Sequence, residues 1–301
     1  MNNNKSVSQV VAFSWIVIAY LISIALALCY LSLDSLQGFR TDNLLINTFI
    51  ADVIATIGIF IFSRIFQNSS FYDAYWSVIP PLIFHYWLMQ TDKSLSDPIV
   101  LMLGGVIWYW AIRLTWNWAK HWEGLSHEDW RYVDLKANKP NMLALIIDFF
   151  AIHFFPTVQV FLGLLPVYAC LILAEGSWSP WSWLAFGVGL LAPTVQLMAD
   201  RQLHAFIAVR KPGEIIHSGL WAWSRHPNYF GELLFWFSLA LFGVLNYLQG
   251  FWWESLGFIA MLVMFLFASI PMMEKRSLER RPNYQDIIDS TSMLIPLPPK
   301  R

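Results

Sequence analysis

Charge is scarce in this chain. Asp, Glu, Lys and Arg supply 13% of its 301 residues, about half the share of a soluble domain. The 20 acidic and 19 basic residues nearly cancel, leaving a formal charge of -1. No global field therefore points to nucleic acid. Cysteine is scarcer still. Cys29 and Cys170 both lie in apolar segments, which gives neither a pairing framework nor a metal spacing. No GxGxxG follows a strand, and there is no P-loop lysine, HExxH, CxxC or GxSxG. A bound nucleotide would thus not be held by a Rossmann domain. The histidines are scattered. The nearest thing to a cluster, His121, Glu123, His127 and Glu128, is too loose for a metal to be expected there. No internal repeat, low-complexity tract or soluble second domain is visible.

What the chain has is apolar surface. Hydrophobic residues make up 57% of it, with 17 Trp and 23 Phe. One soluble core of this length could not hide so much. A membrane span needs about 20 mostly apolar residues, and eight segments qualify or nearly do: 10–32, 44–66, 72–90, 98–119, 143–173, 181–200, 231–248 and 251–273. The runs are continuous, which favours helices over a barrel. The third and seventh are the weakest. The fifth is overlong and carries Pro156 and Pro166, so a kink, tilt or break is expected. The polar stretch Met1 to Gln9 precedes an apolar run too long for a cleaved signal peptide. That run is read as the first span. The expected fold is an all-α polytopic bundle of seven to eight spans, forming one integral membrane domain over 1–301.

Basic residues orient the bundle. With eight spans, one face receives Lys5, Arg64, Lys120, Arg131, Lys136, Lys139, Arg201, Arg210, Lys211 and Arg225, then Lys275, Arg276, Arg280, Arg281, Lys300 and Arg301. The other receives only Arg40 and Lys93. This is a positive-inside pattern that places both termini in the cytoplasm. Seven spans would break the alternation unless a re-entrant segment replaced one. The polar stretches 120–141, 200–230 and 274–301 fall on the same face, so a soluble cofactor would enter there.

Charged groups within a bilayer are costly and usually functional. Asp52, Asp73, His85, Arg113, Asp148, His153 and Glu232 lie in or near spans. Asp52 and His153 can equally be polar groups that pack helices. Arg113 is the only Arg or Lys well inside a span. Tyr109 lies four residues before it on the same helical face, among Trp108, Trp110, Trp116 and Trp118. A second constellation begins at Gln196 and passes Asp200-Arg201-Gln202 and His204 to Arg210-Lys211-Pro212-Gly213-Glu214. It continues through Gly219-Leu220 to Ser224-Arg225-His226-Pro227-Asn228-Tyr229-Phe230-Gly231-Glu232. A span ends, a Pro-Gly turn follows, and a cationic loop leads into the next span. Its arginines suit phosphate, which they contact in bidentate fashion. A third piece runs from Glu274-Lys275-Arg276 to Glu279-Arg280-Arg281-Pro282-Asn283-Tyr284. A basic tail of this kind anchors headgroups or closes over a phosphate-bearing cofactor.

These stretches resemble the C-terminal domain of the steroid 5-alpha-reductase family. Arg210 to Glu214 is similar to a stretch of its animal members, and the tail ending in Leu294-Ile295-Pro296 to its closing segment. The resemblance is specific over about 196–296 and thinner from 72 to 132. It does not reach the first two spans, where the chain looks more like the bacterial branch. It implies a membrane oxidoreductase, expected in a bacterial inner membrane, with 196–296 as the cofactor-binding half facing the cytoplasm. Such enzymes bind NADPH and reduce the C=C bond of an α,β-unsaturated ketone such as a 3-oxo-Δ4 steroid.

By that resemblance Tyr109 donates to the substrate carbonyl. Asp73 is proposed as a second polar group, since burial can keep a carboxyl protonated. The family's Gln-Glu pair is not found here. Cofactor contacts carry over to Asp200, Arg201, Gln202, Arg210, Ser224, Arg225, His226, Asn228, Tyr229, Glu232 and Glu274. Arg113 and Arg280 are candidates for the pyrophosphate or 2′-phosphate. The expected partners are an apolar steroid-like lipid and the bilayer, with no nucleic acid. Oligomeric state is not fixed by the sequence. Two other readings compete. Isoprenylcysteine carboxyl methyltransferases, which use S-adenosylmethionine, share a related Arg-His-Pro-x-Tyr-x-Gly element. Glu232 after Gly231, and Arg210 to Glu214, favour the reductase. A transporter or lipid scaffold would use Arg113 and Asp73 to line a pathway, but no inverted repeat is visible.

Overall fold

The computed structural model describes residues 9–175, 178–247 and 251–299. Lys5, Lys300 and Arg301 of the charge argument lie outside the described residues, as does most of the polar opening stretch. In chain order the helices are α1 (Gln9–Ser32), α2 (Leu44–Ile65), α3 (Tyr75–Leu88), α4 (Pro98–His121), α5 (Trp130–Lys136) and α6 (Asn141–Leu173). They continue as α7 (Ser182–Val209), α8 (Pro227–Asn246), α9 (Trp252–Arg280) and α10 (Tyr284–Ser290). Among the described residues there is no strand. Seven of these helices are long and apolar enough to cross a membrane: α1, α2, α4, α6, α7, α8 and α9. Large apolar side chains such as Leu21, Ile61, Leu101 and Phe267 stand exposed on them, as a lipid-facing surface requires. The protein is an integral membrane protein.

The differences from the expected spans have local causes. The third segment is a helix of 14 residues carrying Pro80 and Pro81. At about 1.5 Å per residue it reaches only ~21 Å, short of the hydrocarbon thickness. The fifth is not broken at its prolines. It stays one helix: the backbone widens into π-helical turns at Asp148–Phe154, beside Pro156, and again at Ala169–Leu173, while Pro166 is carried within ordinary α-helix. Such turns absorb the lost hydrogen bonds. Hydropathy drops at Asp200 and Glu274, yet α7 runs on to Val209 and α9 to Arg280. Both carry their helical bonding past the apolar stretch. Arg40 and Lys93, the two basic residues assigned to the opposite face, serve helix ends. Arg40 donates to the carbonyls of Leu31 and Leu33, at the C-terminal end of α1. Lys93 donates to those of Leu171 and Ala174 at 3.1 and 3.2 Å, at the end of α6. Cations favour that pole of a helix.

The chain divides into two compact units. One comprises the residues up to Tyr86 with Leu114–Phe161. In it α1 and α2 meet at Gly58, where an added Cβ would lie 2.4 Å from Ser23 Oγ. The turn after α2 is tied to the segment around α5. Asn68 donates to the carbonyls of Leu125 and His127, and Glu128 accepts from Ser69 N and Lys136 Nζ at 2.7 Å each. Below it, fully buried Asp148 pairs with Arg64 at 2.9 Å and accepts from Ser69 Oγ at 2.7 Å. Stretch 120–141 is therefore a docked element, with Glu128 committed to Lys136 and Ser69.

The second unit comprises Trp87–Arg113 and the chain from Leu162 onward. Here α7 and α8 pack closely because Gly231 presents no side chain. A Cβ on it would meet Gln196 Cγ at 2.6 Å and the Ala192 carbonyl oxygen at 2.9 Å. Small residues set such approaches in membranes. On α4, the Trp110 ring stacks on Phe235 of α8 with centroids 4.1 Å apart. These contacts fix the frame on which 196–232 is displayed.

Candidate functional site

Asn228, Tyr229 and Glu232 lie in the first two turns of α8, not in a loop. Pro227 has the preset φ that suits a first helical position, and His226 stands as its cap. Before it, the chain turns through Gly219–Ala222. Gly219 has φ +61°, and Gln202 accepts from the Leu220 amide at 2.9 Å beneath it. A Cβ there would both strain the backbone and strike Gln202. Gln202 thus shapes the turn that presents Trp221, whose indole donates to the Ala199 carbonyl at 3.0 Å.

These elements enclose a cavity of about 290 Å³ lined by Arg210, Trp221, Arg225, His226, Asn228, Tyr229, Arg281 and Tyr284 among others. A second hollow, about 430 Å³, is lined by Ile207, Arg210, Lys211, Pro212, Gly213, Arg280 and Arg281. Arg210, Arg281 and Ile207 border both. Neither lining includes a carboxylate. Among the described residues, no ion pair ties up Arg210, Lys211, Arg280 or Arg281. Burial and the nearby charge of Arg210 press the pKa of Arg281 below its usual value. Burial, with Glu274 next, pushes the Tyr284 phenol up to about 12, so it stays a neutral donor. Glu214 stands at the edge of the second hollow, accepting from the Lys211 amide at 2.8 Å, and the cations that outnumber it fit a polyanion. A flat ring system suits the aromatic side, where His226 stacks on Tyr229 with centroids 5.4 Å apart. The donor set therefore fits the phosphates and rings of a dinucleotide.

The other residues named from sequence do not line this cavity. Arg113 pairs with Asp200 at 2.8 Å, their side chains 6% and 13% exposed, and Asn228 reaches the other Asp200 oxygen at 3.5 Å. Asp200 thus links the buried arginine to a cavity residue. Glu232 accepts from Trp110 Nε1 at 3.0 Å, from Trp236 Nε1 at 2.9 Å and from Gln196. Its carboxylate joins α4, α7 and α8. Glu274 accepts from Arg225 Nε at 2.6 Å and contacts His226 Nε2 at 3.1 Å. Ser224 is buried and donates to the Leu294 carbonyl at 2.7 Å. Arg201 is exposed. Arg281 and Tyr284 enter from sequence only as members of the basic tail, and Trp221 carries no role there. The pair Arg280-Arg281 before Pro282 was the available signal for the first.

Tyr109 contacts Thr194 Oγ1 at 3.0 Å. Thr194 directs its own hydrogen to the Leu190 carbonyl at 2.8 Å, so Tyr109 is the donor of that pair. In the first unit, Asp73 accepts from the Tyr132 hydroxyl at 2.7 Å. Burial pushes its pKa up to about 6, against that bond and the Arg131 charge. Ionised Asp73 is thus disfavoured in the folded chain. Between its ordinary value of 3.8 and about 6 the unfolded chain gives up a proton that the fold retains, so stability falls as pH rises through that window. Asp73→Asn removes this fall. Thermal unfolding across pH 4 to 8 should show the variant gaining on the parent up to about pH 6, with a constant difference above it.

Sequence left Asp52 and His153 open between packing and function. His153 Nε2 lies 3.0 Å from Ser63 Oγ at a buried joint of α2 and α6. Asp52 accepts from the Tyr75 hydroxyl at 2.7 Å, but its second oxygen is buried without a partner. Asp52 also lines a small apolar cavity of about 70 Å³ with Ile24, Ala55, Ile79 and Tyr86 among its neighbours. A carboxyl–phenol pair in apolar surroundings is a hydrogen-bonding group that spacing alone did not reveal.

No solved structure matches the chain. It is 23% identical over 252 residues to an uncharacterised protein of Schizosaccharomyces pombe, covering 76% of this chain and 73% of that one. Residues 59–291 match the family described as "Protein of unknown function (DUF1295)". That match spans α4, α7, α8, α9 and both basic hollows, and the chain belongs to the DUF1295 family.

Proposed function

We propose that this protein is a membrane-embedded NADPH-dependent reductase of the C=C bond of an α,β-unsaturated ketone, with a 3-oxo-Δ4 steroid giving the 5α-dihydro product. The observation that carries this reading is the cationic hollow lined by Arg210, Lys211, Arg280 and Arg281, which shares Arg210 and Arg281 with the cavity walled by His226, Asn228 and Tyr229. It coincides with the segment that resembles the steroid 5-alpha-reductases, and it lies within the family match. With the short α3 as the re-entrant segment that restores the alternation, the positive-inside pattern supports a cytoplasmic opening for this cavity and cytoplasmic termini.

Arg210, Lys211, Arg280 and Arg281 would hold the phosphates by charge-assisted hydrogen bonds. Trp221 and Tyr229 would flank the rings, and Asn228 would be set in place by Asp200. When bound, NADPH supplies the hydride that adds to the substrate β-carbon. Negative charge then grows on the carbonyl oxygen, which needs a positioned donor, and a proton completes the α-carbon. Tyr109 is the donor on this reading. Its hydroxyl exchanges Thr194 for the substrate oxygen. In the first unit, Asp73 and the Tyr75–Asp52 pair offer the same chemistry, and their variants serve as the comparison.

The test follows nicotinamide absorbance for detergent-purified protein with and without testosterone or progesterone. Steroid-dependent oxidation of NADPH supports the reading. Tyr109→Phe should lower kcat about 10²-fold with NADPH affinity kept, the low end of what a general acid contributes. Turnover lost in Asp73→Asn or Tyr75→Phe but kept in Tyr109→Phe would remove Tyr109 from the donor role. If NADPH neither binds nor reacts and S-adenosylmethionine binds, the protein is a methyltransferase of the isoprenylcysteine type.

A further inference from the structure

The structure assigns Arg225 a task different from phosphate binding: we infer that it pins the C-terminal segment 284–297 as a wall of the cavity. This takes the cavity's occupant to be the nucleotide proposed above. The guanidinium is 8% exposed and already committed. Nε meets Glu274 Oε1 at 2.6 Å, and Nη1 donates to the carbonyls of Ile288 and Thr291 at 2.9 and 2.6 Å. Its backbone amide donates to the Ser292 carbonyl at 2.8 Å. The neighbours repeat the pattern. Ser224 donates to the Leu294 carbonyl, and the Leu297 amide donates to the Trp223 carbonyl at 3.0 Å. The turn 223–225 is thus stitched to the tail at successive points. The pinned segment contributes Tyr284 and Ile287 to the cavity lining. Arg225 is a positioning residue that acts through this wall.

Arginine is required by the geometry. A planar fork reaches one carboxylate and two carbonyls at once, whereas a lysine ammonium is a single point on a flexible stem. A plain phosphate contact would instead tolerate lysine in part, since the charge remains.

Hydrogen exchange by mass spectrometry on the full chain in detergent, without nucleotide, decides between them. Arg225→Lys should speed exchange of amides in 284–297 at least about tenfold, the loss of roughly one hydrogen bond to a charged group. Its NADPH dissociation constant should rise at least as much. Arg280→Ala should weaken NADPH while leaving exchange of the segment unchanged. Unaltered exchange in Arg225→Lys, with NADPH affinity reduced, would overturn the assignment and make Arg225 a phosphate ligand. The lysine variant carries the test if Arg225→Ala does not fold. Should the parent fail to bind NADPH at all, the nucleotide reading falls, and the exchange comparison still decides the pinning role.

Discussion

Glu232→Ala should lower the thermal midpoint in detergent on the order of 5–10 °C. The argument is a count of orphaned donors. Trp110, Trp236 and Gln196 are each at most 1% exposed, and all three direct an N–H at this one carboxylate. Removing the acceptor leaves three buried donors unsatisfied. At about 1 kcal/mol or more apiece, the sum is about 3 kcal/mol or more, and for a chain of this size each kcal/mol moves the midpoint by roughly 2–4 °C. Glu232→Gln should fall between. It keeps one accepting oxygen but turns an amide against an indole N–H. The resemblance makes Glu232 a cofactor contact, whereas the geometry makes it the joint of α4, α7 and α8. Differential scanning fluorimetry separates the two roles. A Glu232→Ala protein as stable as the parent, yet unable to bind NADPH, would return Glu232 to the cofactor.

Removing cations from the hollow should have the larger effect on binding. Arg210→Ala combined with Arg280→Ala should weaken NADPH by about 10²-fold or more, since each charge-assisted bond to phosphate contributes about 1.5–3 kcal/mol. The two side chains face a hollow whose lining includes no carboxylate, so their deletion leaves no buried partner uncompensated. Stability should accordingly stay near that of the parent. Rising salt should weaken the parent more steeply than the double variant, because fewer screened charges remain. NADH, which lacks the 2′-phosphate, should lose less than NADPH. Equal losses for the two dinucleotides would place these arginines at the pyrophosphate. No loss for either would remove the hollow from the binding site. By contrast, Asp200→Asn leaves the 6%-exposed Arg113 side chain without its counter-charge, and its effect belongs with folding.

The spans were legible because a continuous apolar run has one stable form in lipid. Their ends were not, since helical bonding does not stop where hydropathy drops. That is why Asp200 to His204 lie on α7, and Glu274 to Arg280 on α9. The third segment reads as apolar, but its length falls short of a crossing. Motif residues Arg210, Arg225, His226, Asn228 and Tyr229 come together on one cavity, as their spacing around a Pro-Gly turn suggests. Their partners could not be read. Arg113 finds Asp200 across 87 positions, and Trp110 finds Glu232 across 122. Such pairings depend on which helices neighbour one another, and no local pattern encodes that. The same holds for Arg225, whose charge suggests a phosphate grip while its bonds run to Glu274 and to the Ile288 and Thr291 carbonyls.

The most direct measurement is calorimetric titration of the detergent-purified parent protein with NADPH, NADH and S-adenosylmethionine in turn. The account predicts saturable binding of NADPH, weaker binding of NADH, and none of S-adenosylmethionine. Binding of S-adenosylmethionine with no response to either dinucleotide would contradict it.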